Sequence, residues 1–148
     1  MSGTLAQAVL IAQVIGSVGM FGVIWTIQLV HYPLMRHIPD SAFVDYERRH
    51  TAAISYVVGP LMALEGISVL AVFFFTPDGI PGWAPWAGGA FEAIAIGTTA
   101  FISAPTHGRL ERGPDAALLD HLIRTNWIRT LAWTARAAIA ILMLCSFD

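Results

Sequence analysis

Long uncharged stretches alternate with short polar connections along this chain. Residues 2–30 contain no charged side chain, and a helix needs only about 20 apolar residues to cross about 30 Å of hydrocarbon. The later stretches contain one or two charges each. The pattern predicts an all-α fold, a single four-helix transmembrane domain over residues 1–148. The predicted spans are 5–30, 51–75, 83–104 and 127–147.

Proline, glycine and aspartate mark the connections and predict where two helices begin. Asp40 or Ser41 can cap a second helix that starts well before its apolar span. Pro114 suits the first turn of a fourth helix that also starts early. The second and fourth helices are therefore expected to extend out of the membrane into the cytoplasm.

Composition excludes several classes of protein. Apolar residues make up 56% of the chain and charged residues 12%, whereas soluble domains have about 25% charged residues. Membrane lipid is therefore the expected surrounding. A net charge of -2 without a basic block speaks against nucleic acid as a partner. The single Cys145 excludes an intrachain disulfide.

The basic residues predict the orientation in the membrane. All eight are arginines, and those outside the spans lie in the first and third connections. Connections rich in Arg stay in the cytoplasm. We therefore expect a multi-pass protein of the cytoplasmic (inner) membrane with both termini extracytoplasmic. The arginines concerned are Arg36, Arg48 and Arg49, and Arg109, Arg112 and Arg124.

Each predicted helix carries its polar residues on one side. Successive residues turn by about 100° around a helix, and polar side chains are unfavourable against acyl chains, so these stripes should face one another. His107 follows an expected kink or stop at Pro105. The stripes are Gln13, Ser17, Gln28 and His31; Tyr46, Glu47, His50, Glu65 and Ser68; Glu92, Thr99 and Ser103; and Asn126, Arg129, Thr130, Trp133 and Arg136.

Three charged residues should form a buried cluster near the middle of the membrane. At about 1.5 Å of rise per residue, Glu65, Glu92 and Arg136 fall at similar depths. Charges at that depth are unfavourable unless they are paired. The cluster either holds the helices together or serves as a proton relay or as a counter-charge for a substrate.

Histidines should gather at the cytoplasmic edge of the bundle. Imidazoles from different helices can bind a haem or a transition metal ion. The predicted cofactor ligands are His31, His50 and His107, with Glu47 as a further metal ligand. The alternative is that each histidine bonds to backbone or lipid headgroups at the interface.

Further residues complete this hypothetical site. Gln28 and Asn126 are candidates for cofactor binding, and Tyr46, Glu47 and Arg136 are the candidate catalytic residues. Glu47 and His50 match the Glu-x-x-His element of di-iron bundles, but the second such element is absent. His37 and His121 are expected in solvated loops.

Glycines in the first span predict a close helix contact. Gly16, Gly19 and Gly22 share one side of the helix, away from its polar stripe, and small residues let helices approach closely in membranes. The same face could instead dock a homo-oligomer or a membrane partner.

Two motifs resemble those of known proteins. Gln28-x2-His31-Tyr32-Pro33 and Asn126-Trp127-x-Arg129-Thr130-x2-Trp133 are similar to motifs of a group of small uncharacterised bacterial integral membrane proteins. The size of the chain and its four-span layout also resemble those of HemJ-type protoporphyrinogen oxidases and anthrone-oxygenase-like membrane proteins. In the HemJ type the key histidine lies early in the first helix, whereas here His31 is at its end, so no residue role carries over.

These patterns lead to one functional hypothesis with two alternatives. The first is a polar cofactor or ligand site in the cytoplasmic half of the bundle, with redox chemistry on haem, a metal ion or a quinone, as in a membrane-bound oxidoreductase. The alternatives are a small oligomeric proton-coupled transporter and a non-enzymatic membrane subunit.

Overall fold

Four long helices account for most of the chain. The computed structural model describes residues 3–147. Each helix is long and apolar enough to cross a membrane, so the predicted all-α bundle of four such helices is confirmed. We number them α1 Gly3–Met35, α2 Asp40–Phe74, α3 Ala84–Leu110 and α4 Ala116–Ser146.

The second and fourth helices begin ahead of their apolar spans, as expected, but the capping residues differ from the prediction. Pro39 occupies the N-cap of α2 and makes no side-chain cap bond, so the predicted cap at Asp40 or Ser41 is wrong. In α4 the Asp115 carboxylate accepts a hydrogen bond of 2.9 Å from the backbone N–H of Leu118. Pro114 therefore precedes α4 and does not lie in its first turn.

The first and third helices continue through their prolines. Each contains a π-helical segment just before the proline turn, Ile27–His31 in α1 and Thr99–Ser103 in α3. Proline lacks an N–H and its ring crowds the carbonyl four residues earlier, and the wider π turn relieves both problems. Of the two alternatives expected at Pro105, a kink or a stop, the stop is wrong, because α3 continues to Leu110 and carries His107 on its last turns.

Two of the four glycines of α1, Gly16 and Gly19, form a close contact with α2. A methyl group at Gly16 would lie 3.0 Å from Cβ of Glu65, and one at Gly19 would lie 2.9 Å from a methyl of Leu61. The expected helix-packing role is therefore confirmed for Gly16 and Gly19. A methyl group at Gly22 would have no atom of another helix within 4 Å, and docking of a homo-oligomer or a membrane partner through Gly16, Gly19 and Gly22 stays a prediction.

The polar stripes of all four helices face the interior, as predicted. Apolar side chains such as Tyr56 and Phe101, each 84% exposed, point outward where lipid would contact them. The buried members of the stripes are Gln13, Ser17 and Gln28; Glu47, Glu65 and Ser68; Glu92 and Ser103; and Asn126, Arg129, Thr130, Trp133 and Arg136.

Candidate functional site

Three histidines from three helices lie together at the end of the bundle where α1 meets α2. The ring centroids of His31 and His50 are 4.3 Å apart, in a stacked arrangement. The His107 ring lies 5.6 Å from that of His50. His31 closes the π segment of α1, and His107 follows the π segment of α3. An added residue in a turn rotates the side chains that follow, so both π segments influence which residues reach the cluster.

A chain of hydrogen bonds crosses the cluster. With Nδ1 of His107 protonated, the Tyr32 hydroxyl donates to Nε2 of His107 over 2.8 Å, and Nδ1–H donates to the Glu47 carboxylate. Tyr32 and Glu47 are buried, and Oε2 of Glu47 has no hydrogen-bond partner. An imidazole bonded on both sides can pass a proton by changing its tautomer. The three residues, called here the Tyr32–His107–Glu47 chain, have the connectivity of a proton relay.

Tyr46 extends the aromatic part of the cluster. Its ring is nearly parallel to that of His50, with 6.5 Å between the centroids, and it lies 6.0 Å from that of His31. Nε2 of His31 is buried and has no hydrogen-bond partner. The His31 side of the cluster therefore retains an unused nitrogen, whereas both nitrogens of His107 are engaged.

A cavity of about 250 Å³ opens beside the histidines, between α2 and α3. Tyr32, His50 and His107 all border it, so two members of the Tyr32–His107–Glu47 chain face the cavity. Its remaining polar lining is Thr51, Ser55, Thr99, Ser103, Glu111 and Arg129, and its apolar lining includes Ile27, Ile54 and Val58.

A second groove, of about 340 Å³, lies between α1 and α2. His31 and His50 border it at one end, and Gly22, Val23 and Val57 line the rest together with other small or apolar residues. His50 thus borders two openings, one between α2 and α3 and one between α1 and α2.

Gln28 and Asn126 lie behind the cavity, without lining it. The Asn126 amide donates to Oε1 of Gln28 over 2.8 Å, and the Gln28 amide donates to the carbonyl of Ile123 over 3.3 Å. Arg129 then joins this pair to the cavity wall, because its Nη1 donates to Asn126 over 3.1 Å and to Ser103 over 3.2 Å. These amides therefore connect α1 to α4 and position Arg129.

The charged residues in the middle of the bundle also meet. Nε of Arg136 is 3.4 Å from Oε1 of Glu65 and 3.8 Å from Oε2 of Glu92. Glu65 accepts further hydrogen bonds from Ser17 over 2.7 Å and from Trp133 over 3.0 Å. Arg136 lies roughly 10 Å further along α4 than Arg129, so this catalytic candidate is separate from the cavity.

Metal-ligand geometry is not preformed in the cluster. Within residues 3–147, no group of three or more His, Cys, Asp or Glu side chains is arranged to hold a metal ion. His31, Glu47, His50 and His107 are neighbours, but Glu47 and His107 bond to each other. His37 and His121 are exposed, as expected, although His121 lies on α4 and not in a loop.

Sequence reasoning missed Tyr32, the first member of the relay. Tyr32 lies between His31 and Pro33, and this triplet was a visible signal, but the regular helical period directs its side chain away from the His31 stripe.

Comparison with protein-family models, curated proteins and solved structures finds no match for this chain.

Proposed function

We propose that this chain is a multi-pass membrane protein that binds a lipid-soluble ligand of the quinone class and exchanges a proton with it. One observation carries the proposal. The Tyr32–His107–Glu47 chain ends at the wall of a cavity between α2 and α3 whose lining is partly apolar. Cavities that combine an apolar lining with a few polar groups are typical of small-molecule sites.

The cavity offers complementary groups for such a ligand. A ring oxygen of a quinone accepts a hydrogen bond and that of a quinol also donates one, and His50 and Tyr32 can provide the partners. A proton that leaves a quinol hydroxyl would move onto the relay, with the buried Glu47 carboxylate as its counter-charge. Ile27, Ile54 and Val58 would contact the apolar body of the ligand.

Replacing His50 by Phe should weaken binding of a short-chain quinone by about tenfold, which corresponds to about 1.4 kcal/mol. Phenylalanine preserves the stacked ring but removes both nitrogens, so the loss would report hydrogen bonding to the ligand. The measurement is a titration of purified protein in lipid nanodiscs by calorimetry. His121→Phe is the matched control, because His121 is exposed on α4, and should bind like the wild type. Equal affinity of both variants would contradict the site.

A haem or transition metal ion is the second candidate occupant of the cluster. The unpartnered Nε2 of His31 favours it, because a metal ligand needs a free lone pair. His50 would be the second ligand, and His107 could join only after releasing Tyr32. An absorption spectrum and metal analysis of the same preparation decide this point. Bound haem or metal that is lost in His31→Ala and kept in His37→Ala would replace the quinone proposal.

We further propose that both termini face away from the cytoplasm, as the distribution of arginines favours. In a Cys145→Ser background, single cysteines in place of Arg48 and Arg112 should be protected from an impermeant thiol reagent in intact cells. Both positions are exposed in the fold and should react after permeabilisation. A cysteine in place of the exposed Asp78, in the opposite connection, should react in intact cells. The reverse labelling pattern would overturn this orientation.

A further inference from the structure

The middle of the bundle contains an excess of acidic groups over basic ones. Glu65 comes from α2, Glu92 from α3 and Arg136 from α4, and all three are buried. The α1 residue that contacts the cluster, Ser17, is uncharged. Among the described residues, two carboxyl groups therefore face one guanidinium. The proposed ligand site makes no use of this cluster.

Glu65 has the surroundings of an ionised carboxylate. One oxygen accepts from the Ser17 hydroxyl and lies 3.4 Å from Nε of Arg136, and the other accepts from the Trp133 indole N–H. Hydrogen bonds donated to a carboxylate stabilise its charged form. Glu65 and Arg136 are thus an ion pair that already balances its own charge.

Glu92 has the opposite surroundings. It is 4% exposed, and neither of its oxygens has a hydrogen-bond partner. A second carboxylate charge here would leave the cluster with a net negative charge inside the membrane, which is strongly unfavourable. The charge balance requires one proton, and Glu92 is the carboxyl group that lacks donors.

Arg136 and Glu92 both have unsatisfied polar atoms. The three side-chain nitrogens of Arg136 and both carboxyl oxygens of Glu92 are buried without hydrogen-bond partners, and Nε of Arg136 lies 3.8 Å from Oε2 of Glu92. Donors and acceptors thus remain open side by side, and water is the small molecule that can satisfy both. Hydration of this kind would also give a proton a route to and from Glu92.

We propose that Glu65, Glu92 and Arg136 form a hydrated proton-binding site in the middle of the membrane, in which Glu92 carries an exchangeable proton beside the Glu65–Arg136 ion pair. The ligands are a proton and water. This proposal does not depend on the identity of the molecule that binds at the histidine cluster.

Infrared spectroscopy of the reconstituted protein at neutral pH tests the proposal. The wild type should show the carbonyl stretch of a protonated carboxylic acid, and this band should shift when the protein is transferred to heavy water. Glu92→Gln should remove the band. Glu65→Gln should also remove it, because Glu92 would then ionise and become the partner of Arg136. Asp45→Asn, at an exposed position of α2, should leave the band unchanged.

Clear outcomes would overturn the proposal. A folded wild type with no carboxylic-acid band would show that neither carboxyl group holds a proton. A band that survives Glu92→Gln would place the proton elsewhere, and a band unaffected by heavy water would exclude exchange. If Glu92→Gln does not fold, the wild type can be labelled with ¹³C at the glutamate carboxyl groups. The carboxylic-acid band should then move to lower frequency, and a band that does not move would show that no glutamate holds the proton.

Discussion

Replacing Arg136 by Leu is expected to lower the free energy of unfolding by about 3 to 5 kcal/mol, because removing one partner of a buried ion pair leaves the other charge uncompensated. Arg136 is fully buried, and its Nε lies 3.4 Å from Glu65. Ser17 and Trp133 would still donate hydrogen bonds to the Glu65 carboxylate, but no cation would remain beside it. Thermal unfolding and the monodisperse yield in detergent measure the effect.

Second-site changes test whether the ion pair causes this loss. Adding Glu65→Gln to Arg136→Leu should recover part of the stability, and adding Glu92→Gln should recover less, because Glu65 carries the charge. Arg124→Leu is the matched control, since Arg124 is exposed on the same helix, and it should change stability by about 0.5 kcal/mol or less. Simple additivity of the Arg136 and Glu65 changes would mean that the two residues are not coupled.

Replacing Gly16 by Leu is expected to cost about 3 kcal/mol, at the upper end of the range for overpacked cores. Even a methyl group there would lie 3.0 Å from Cβ and 3.2 Å from Cα of Glu65. The backbone of α2 cannot yield as the tip of a flexible side chain can, so the two helices would have to separate. Thermal unfolding of the purified variant measures the loss of stability.

Gly22→Leu is the control for that experiment. Gly22 is exposed on the same helix as Gly16, and a methyl group there would meet no atom within 4 Å. Both substitutions increase helix propensity by a similar amount, so the difference between them isolates the contact of Gly16 with α2. Equal stability of the two variants would show that this contact is looser than the structure indicates.

The apolar pattern and the helical period predict much of the architecture. They identify the four helices, the inward polar stripes, and the shared depth of Glu65, Glu92 and Arg136. These features depend on properties that each helix has alone: its length, its rise per residue and the direction of its side chains. The arginine pattern adds a preferred orientation, which remains a prediction.

Helical periodicity does not predict the local structure near prolines and helix ends. A regular period of 3.6 residues places Tyr32 on a different side from His31, and it does not predict the π segments at Ile27–His31 and Thr99–Ser103. The prediction of a kink or a stop at Pro105 likewise does not specify that α3 continues to Leu110 with His107 on its last turns. A π turn replaces the standard hydrogen bonds, and single-residue propensities do not describe that exchange.

The sequence by itself determined which residues share a face of each helix, because that depends only on rotation about one axis. Only the tertiary structure decided which partner each of them meets. Glu65 and Glu92 have similar depth and chemistry, yet Ser17 and Trp133 donate to Glu65 alone. Likewise Gly16 contacts α2, whereas Gly22 lies open. Such differences arise from the relative rotation, height and distance of neighbouring helices, which follow from packing all four together.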